Sequence, residues 1–276
     1  MGDGPGQRDD GSVVAFVHIQ KTAGTSMKFI LKHSFGMAHC DVNPIDPTPG
    51  RPFGLEDLAL VRRLYPRLRS ISGHEIIEPT RHLGAAVMPY TMLRDPVRRM
   101  MSHFQDKIVR GGSADDIERY LADPEQHDFQ VRKIAGAPDL DKARELLAGH
   151  YFFVGLTERF ETSMRLFERV CPYPLDLRYQ TRNEAPDDSI RRRLEGDSGL
   201  LDRIRKANRL DEALYRFVDQ ELLPAQIARA GGVTDAPLPR YSRGRPPPLR
   251  FVMSRLYHRG IYRSALKRER RRRGYA

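Results

Sequence analysis

Apolar positions along this chain fall into short continuous runs that alternate with blocks at helical spacing. Val13 to His18 is a nearly continuous apolar run, as expected of a parallel strand covered on both faces. A polar turn, Gln20 to Gly24, follows it. Residues 24–33 then place Met27, Ile30 and Leu31 at helical spacing. The same alternation predicts a helix over Leu55–Leu64, a short strand over Leu68–Gly73 ending at His74, and a strand over 83–93. Pro96 stands where a helix can begin, continued by Met100, Met101 and Phe104. A further strand is predicted over 150–156 and a helix over 158–170. One long helix or two is predicted over 198–223, with Leu201, Ile204, Leu210, Leu214, Phe217 and Val218 on one side. Residues 41–54, "DVNPIDPTPGRPFG", contain four prolines and are expected to be loop. Strand and helix in alternation imply an α/β fold with a central parallel sheet flanked by helices.

Composition narrows the class. Of 276 residues, 30% are charged and 39% apolar, the profile of a soluble globular chain. Two cysteines, Cys40 and Cys171, cannot build a disulfide framework, which suits a reducing compartment. The first residues show neither a basic start nor an early apolar run, so no leader is expected, and a cytoplasmic location is. The formal charge of +11 is unevenly placed. Residues 237–276 hold thirteen Lys and Arg against one acid, a local +12, so residues 1–236 sum to −1. A near-neutral body argues against a nucleic-acid-binding role. Three regions follow: a flexible N-terminus over 1–12, a main domain over 13–233, and a Pro-rich linker with a basic tail over 234–276. Leu249, Val252, Met253 and Leu256 give that tail a helical spacing among arginines, and an anionic membrane surface is a partner it could contact.

The candidate chemistry lies in two turns. In "HIQKTAGTS" (18–26) a strand feeds a glycine-containing turn and a helix, whose first amides and dipole favour an anion. Gly24 lets the backbone approach an oxyanion, Thr22, Thr25 and Ser26 add hydroxyls, and Lys21 adds a point charge. The lysine precedes the glycine, so this is not the ATP-binding Gly-x-x-x-x-Gly-Lys-Ser/Thr loop. In "LRDPVRRMMSHF" (93–104) Arg94 ends a strand, Pro96 starts a helix and Ser102 follows. A guanidinium there can grip a phosphate with two donors, or be taken by Asp95 or Asp106 as an ion pair.

Together the two turns resemble the sulfotransferase superfamily that uses 3′-phosphoadenosine 5′-phosphosulfate, in its carbohydrate-type, uronyl/heparan 2-O-sulfotransferase-like branch. Gln20 and Ala23 stand where that branch usually has proline and glycine. "VGLTERFETSMRLF" (154–167) and "ANRLDEALYRF" (207–217) are similar to later blocks of the same branch. The resemblance implies a P-loop-like three-layer fold. It also implies that Lys21 meets the 5′-phosphate and the bridging oxygen, and that Thr22, Gly24, Thr25 and Ser26 hold the phosphosulfate. Arg94 and Ser102 would hold the 3′-phosphate. Arg182, in a stretch where the family often covers the nucleotide, is a further candidate.

The acceptor hydroxyl must lose a proton as it attacks, and a histidine or glutamate is the usual means. His74 follows a strand at the ligand-bearing end of such a sheet. It also resembles the histidine thought to act as base in the 2-O-sulfotransferase type. Glu75 is the alternative. His33, His39 and Cys40 lack a sensibly spaced fourth donor, so no metal is expected. The implied function is in-line sulfuryl transfer to a hydroxyl of a glycan, lipid or small molecule, releasing adenosine 3′,5′-bisphosphate. A nucleotide kinase or NTPase with a degenerate loop, and a non-catalytic nucleotide-binding relative, are the competing readings.

Overall fold

The computed structural model of the chain describes residues 12–113, 116–179, 196–234, 236–241 and 249–275. Its centre is a five-stranded sheet: β1 (Val14–Val17), β2 (His39–Asp41), β3 (Ser70–Gly73), β4 (Met88–Leu93) and β5 (Phe153–Leu156). The strand order is β2-β3-β1-β4-β5 and every pairing is parallel. Each residue of β1, β3 and β5 is buried, which is why these strands are unbroken apolar or small-residue runs without alternation.

Register decides where the ligand end lies. Val17 is opposite both Gly73 and Thr91, so β1 and β3 finish at one level and β4 runs two residues further, to Leu93. The chain lies on one side of β1 as β3 and on the other as β4. The C-terminal end of β1 is therefore the point at which strand order reverses, where open α/β sheets bind ligands. Three connections start there: the turn into α1 (Gly24–Phe35), the His74 segment after β3, and the turn into α3 (Pro96–Val109). Between α1 and α3 in the chain comes α2 (Leu55–Leu64), which begins on a carboxylate cap. Asp57 accepts from the Gly54 amide at 2.8 Å and the Ile45 amide at 2.7 Å.

The predicted elements appear with shifted ends, and three parts of the chain differ. β2 was not anticipated: three residues are too few to show a period. The strand expected over 83–93 starts only at Met88, after a 3₁₀ turn at Gly84–Ala86. Residues 110–149, for which no element was predicted, hold α4 (Ile117–Ala122), α5 (Phe129–Ala135) and α6 (Leu140–Gly149). After β5 comes α7 (Phe160–Val170). The helical stretch from 198 divides into α8 (Ser198–Ala207) and α9 (Arg209–Phe217), then a π-turn into α10 (Leu223–Arg229). α3, α4 and α8 enclose a second small core of Met100, Met101, Phe104, Tyr120, Leu121, Leu200 and Ile204.

The basic tail is helical and fastened to the body. α11 (Leu249–Tyr257) and α12 (Arg263–Arg272) are joined by a π-turn. Their inner side buries Phe251, Tyr262 and Leu266 beside the β2 edge of the sheet. The Tyr262 hydroxyl accepts from the Asn43 amide at 3.0 Å and donates to the Asn43 carbonyl at 3.1 Å. Tyr257 donates to the Leu64 carbonyl, and Arg270 to the carbonyls of Pro44 and Ile45. Residues 242–248 of the Pro-rich linker lie outside the described residues.

Removing the buried Tyr262 ring deletes both a core side chain and the two hydrogen bonds at Asn43. Tyr262→Ala should lower the unfolding free energy by about 3–5 kcal/mol. Tyr262→Phe should cost only about 1–2 kcal/mol. Chemical denaturation of the full chain measures both; equal losses would show that the hydroxyl, not the ring, holds the tail.

Candidate functional site

The turn after β1 is built from unusual backbone. Lys21 and Ala23 both have positive φ, 68° and 59°, the left-handed region that L-residues enter at a cost. Ala23 is the residue immediately before α1, and its carbonyl accepts the Met27 amide at 3.0 Å. The earlier amides of the first turn lie beyond the intrahelical ladder and point along the axis out of the helix start. The Thr22 hydroxyl is not offered to the cleft, since the side chain is fully buried and donates to the Ile19 carbonyl at 2.9 Å, closing the turn. Thr22 can present only its amide to a ligand. Gly24 is required sterically: a Cβ there would sit 1.7 Å from Nε2 of His18. Thr25 is exposed and Ser26 half-buried, both at the mouth of the helix.

The second turn meets the first. Nη1 of Arg94 donates to the Lys21 carbonyl at 3.0 Å, so the guanidinium lies against the lysine-bearing turn. The Arg94 backbone is clamped by fully buried Gln130, which accepts from its amide at 3.0 Å and donates to its carbonyl at 2.9 Å. Gln130 is set in turn by Asp211, whose carboxylate accepts the amides of Gln130 and Val131 at the start of α5. Burial pushes the Asp211 carboxyl up to about 6, against the opposing pull of buried Arg99. Asp95 caps α3 by accepting the Arg98 amide at 2.8 Å.

Neither Asp95 nor Asp106 takes Arg94 in a salt bridge, the ion pairs weighed from the sequence. Among the described residues, Glu158 pairs with the guanidinium, at 3.9 Å. Asp106 instead pairs with Lys21 at 3.0 Å, and with Arg110 at 2.9 Å. Ser102 is half-buried and one helical turn before Asp106, hence on the same side of α3 as the residue that reaches Lys21. Lys21 thus joins the first turn to Arg94 of the second and to the side of α3 that carries Asp106 and Ser102.

His74 stands across from the turn. Its ring stacks on His18 with centroids 3.9 Å apart and planes 28° from parallel, and His18 continues the stack onto Phe16. A carbonyl can only accept, so the 3.0 Å contact between Nδ1 of His74 and the His18 carbonyl puts the proton of the neutral ring on Nδ1. Nε2 then carries the lone pair. Burial first, and the Lys28 ammonium second, push His74 down to about 4. His18 is held well below the usual histidine range by burial and by His74 and Lys28. Both rings are neutral near pH 7. Glu75 is half-exposed, 3.9 Å from the Lys133 ammonium, which donates to the His74 carbonyl at 2.6 Å.

Several members of this neighbourhood gave no sequence signal. Lys28 pairs with Asp41 at 3.5 Å, and Lys32 pairs with the same carboxylate. Burial alone would raise the Asp41 carboxyl, but His39, Lys28 and Lys32 together hold it well below its usual range. Gln130, Lys28 and Lys133 all reach the site from helices, where an isolated charged or amide residue looks like ordinary solvated surface. Asp106 was weighed as a partner of Arg94, and its pairing with Lys21 is what the sequence did not show. Of the residues weighed for a metal, His39 is engaged with Ser70 Oγ at 3.0 Å and with Asp41. Among the described residues no three metal-type donors converge. Arg182 lies outside the described residues.

Residues 8–135 match the family model described as "Sulfotransferase family", a stretch that includes both turns, His74 and four of the five strands. The match supports a relationship to the sulfotransferase superfamily over that stretch, and the all-parallel five-stranded sheet flanked by helices is consistent with the α/β, P-loop-like fold of that superfamily. No curated protein matches the chain significantly.

The left-handed Ala23 yields a test of the turn. A glycine there removes the Cβ penalty of about 1–2 kcal/mol but adds unfolded-state entropy of about 0.4–1 kcal/mol. Ala23→Gly should therefore stabilise the protein by up to about 1.5 kcal/mol, seen as a higher melting temperature. A lower melting temperature would show that the Ala23 methyl is packed rather than strained.

Proposed function

We propose, from the sulfotransferase-family match over residues 8–135, that the protein transfers a sulfuryl group from 3′-phosphoadenosine 5′-phosphosulfate to an acceptor hydroxyl, on a glycan, a lipid or a small molecule. The observation that carries this reading is the 3.0 Å hydrogen bond from Arg94 to the Lys21 carbonyl. Two anion-binding turns at neighbouring strand ends thereby share one opening, as a ligand with phosphate groups at both its 5′ and 3′ positions requires. An ordinary nucleoside triphosphate has no 3′-phosphate for the second turn.

The donor's 5′-phosphosulfate lies on the first turn of α1, held by the amides of Thr22, Gly24, Thr25 and Ser26 and by the hydroxyls of the last two. Arg94 and Ser102 take the 3′-phosphate. Lys21 leaves Asp106 for the oxygen that bridges phosphorus and sulfur. The acceptor oxygen attacks sulfur in line and forms the new S–O bond. The bridging S–O bond breaks, its electron pair stays on the 5′-phosphate, and Lys21 neutralises the growing charge. The acceptor proton passes to Nε2 of His74, the ring nitrogen left free by the His18 carbonyl. Glu75, alongside Lys133, is the second candidate for that proton.

Calorimetry on the full chain tests the donor site. Adenosine 3′,5′-bisphosphate should bind without magnesium, and adenosine 5′-monophosphate much more weakly. Lys21→Ala and Arg94→Ala should each weaken the bisphosphate by about 10–100-fold, the value of a lost charge-assisted contact. Arg94→Ala should leave the monophosphate unchanged. Tight, magnesium-dependent ATP binding with indifference to the 3′-phosphate would replace this reading with a kinase-like one.

The base yields a pH test in a labelled-sulfate assay. His74 must be neutral to accept the proton, and its value in the free protein is about 4. kcat/KM should therefore stay level from neutral pH to about pH 5 and decline below it, instead of falling near 6.5. An anionic donor in the cradle stabilises the imidazolium, so the acid limb of kcat should lie at higher pH than that of kcat/KM. His74→Ala should bind the bisphosphate normally and lose transfer by about 10²-fold or more. Retained transfer would move the role to Glu75.

A further inference from the structure

We infer that the outer side of the C-terminal helical rod is a docking surface for an anionic membrane. This does not depend on the transfer reaction. The rod has two unlike sides. Its inner side, Phe251, Ser254, Tyr262 and Leu266, is buried against the body. On the outer side of α11, Leu249, Val252, Met253 and Leu256 recur at i, i+3, i+4 and i+7 and are 36–76% exposed. Met37 (45% exposed) stands beside them and, with Phe35, lines a shallow hollow against Leu249 and Met253. Beyond the π-turn the exposed residues become cationic: Arg263, Lys267, Arg268 and Arg271 on α12, with Arg259 just before it.

The amphipathic pattern therefore survives docking. The side chains that pack on the body are not the ones that form the outer stripe, so the stripe is not core that happens to show. Its occupant must offer an apolar interior and a negative surface side by side. A bilayer with anionic headgroups does: acyl chains receive Leu249, Met253 and Leu256, while phosphates and carboxylates receive the α12 cations. A soluble polyanion has nothing for the leucines. A second copy of the chain would bring one cationic stripe against another. The near-neutral body contributes little electrostatic attraction of its own, so the tail sets the orientation of the molecule on the surface.

The test is flotation of the full-length protein with vesicles of phosphatidylcholine containing phosphatidylserine, against phosphatidylcholine alone, at low and high salt. The protein should float with the mixed vesicles at low salt and remain behind with the neutral ones. Leu249→Gln with Leu256→Gln, and separately Arg263→Gln with Lys267→Gln, should each reduce the bound fraction by about tenfold while the melting temperature is kept. All four positions are exposed, so folding should tolerate the changes. Failure of the parent protein to float overturns the inference, as does equal flotation on neutral vesicles. Flotation of the double-leucine variant like the parent would reduce the surface to a polyanion site and overturn it too. A concentration-dependent dimer abolished by the leucine changes, without vesicle binding, would assign the stripe to a second copy instead.

Discussion

The hydrogen bond between the Arg94 guanidinium and the Lys21 carbonyl joins the two halves of the site. It spans 73 residues of sequence and fixes the distance between two turns, each of which alone is only a good place for an anion. Its geometry is inherited from the sheet, because β1 and β4 are parallel neighbours that end on the same side, β4 two residues beyond β1. It is kept by Gln130, which grips the Arg94 backbone from both sides, and by Asp211 behind it. The links behind Arg94, Gln130 and Asp211, are fully buried, so the Arg94 backbone is fixed from within the fold.

Charge around the opening is arranged in opposed pairs. Lys21 rests on Asp106, while Lys28 and Lys32 rest on Asp41. Each ammonium is thereby held in the cleft without a net field strong enough to repel its neighbours. Burial first, and the Lys28 ammonium after it, lower the basicity of the two stacked histidines, which keeps both rings neutral in the free protein. On the proposed reading, an arriving polyanion would reverse that balance: it would compete with Asp106 for Lys21 and favour the imidazolium that deprotonation of an acceptor would create.

Much of this could be read from the sequence wherever the determinant was local. The apolar run into "QKTAG", the proline after Arg94 and the helical spacing of Met27, Ile30 and Leu31 each act within a few residues, and each gave its element. β2 was invisible because three residues at a sheet edge carry no period. The helices between 110 and 149 are short, and α5 presents buried Gln130 and Lys133 where apolar positions would be expected. The histidine stack, the Asp106 pair and the Gln130 clamp join residues far apart in the chain, and nothing in their local context distinguishes them from surface. Thr22 shows the converse. Its position in the turn was correctly anticipated, but only the three-dimensional closure onto Ile19 shows which way its hydroxyl faces.

The tail has a consequence for the sheet as well. β2 is an open margin, and a parallel sheet ending in a bare strand invites another chain to add itself there. His258 donates to the Asp41 carbonyl and Tyr262 occupies both polar groups of Asn43, so the margin is sealed by a helix that the same polypeptide supplies. The seal is made 217 residues after the strand it protects. Throughout that interval of synthesis the nascent chain carries an unguarded edge, and its safekeeping falls to chaperones or to speed.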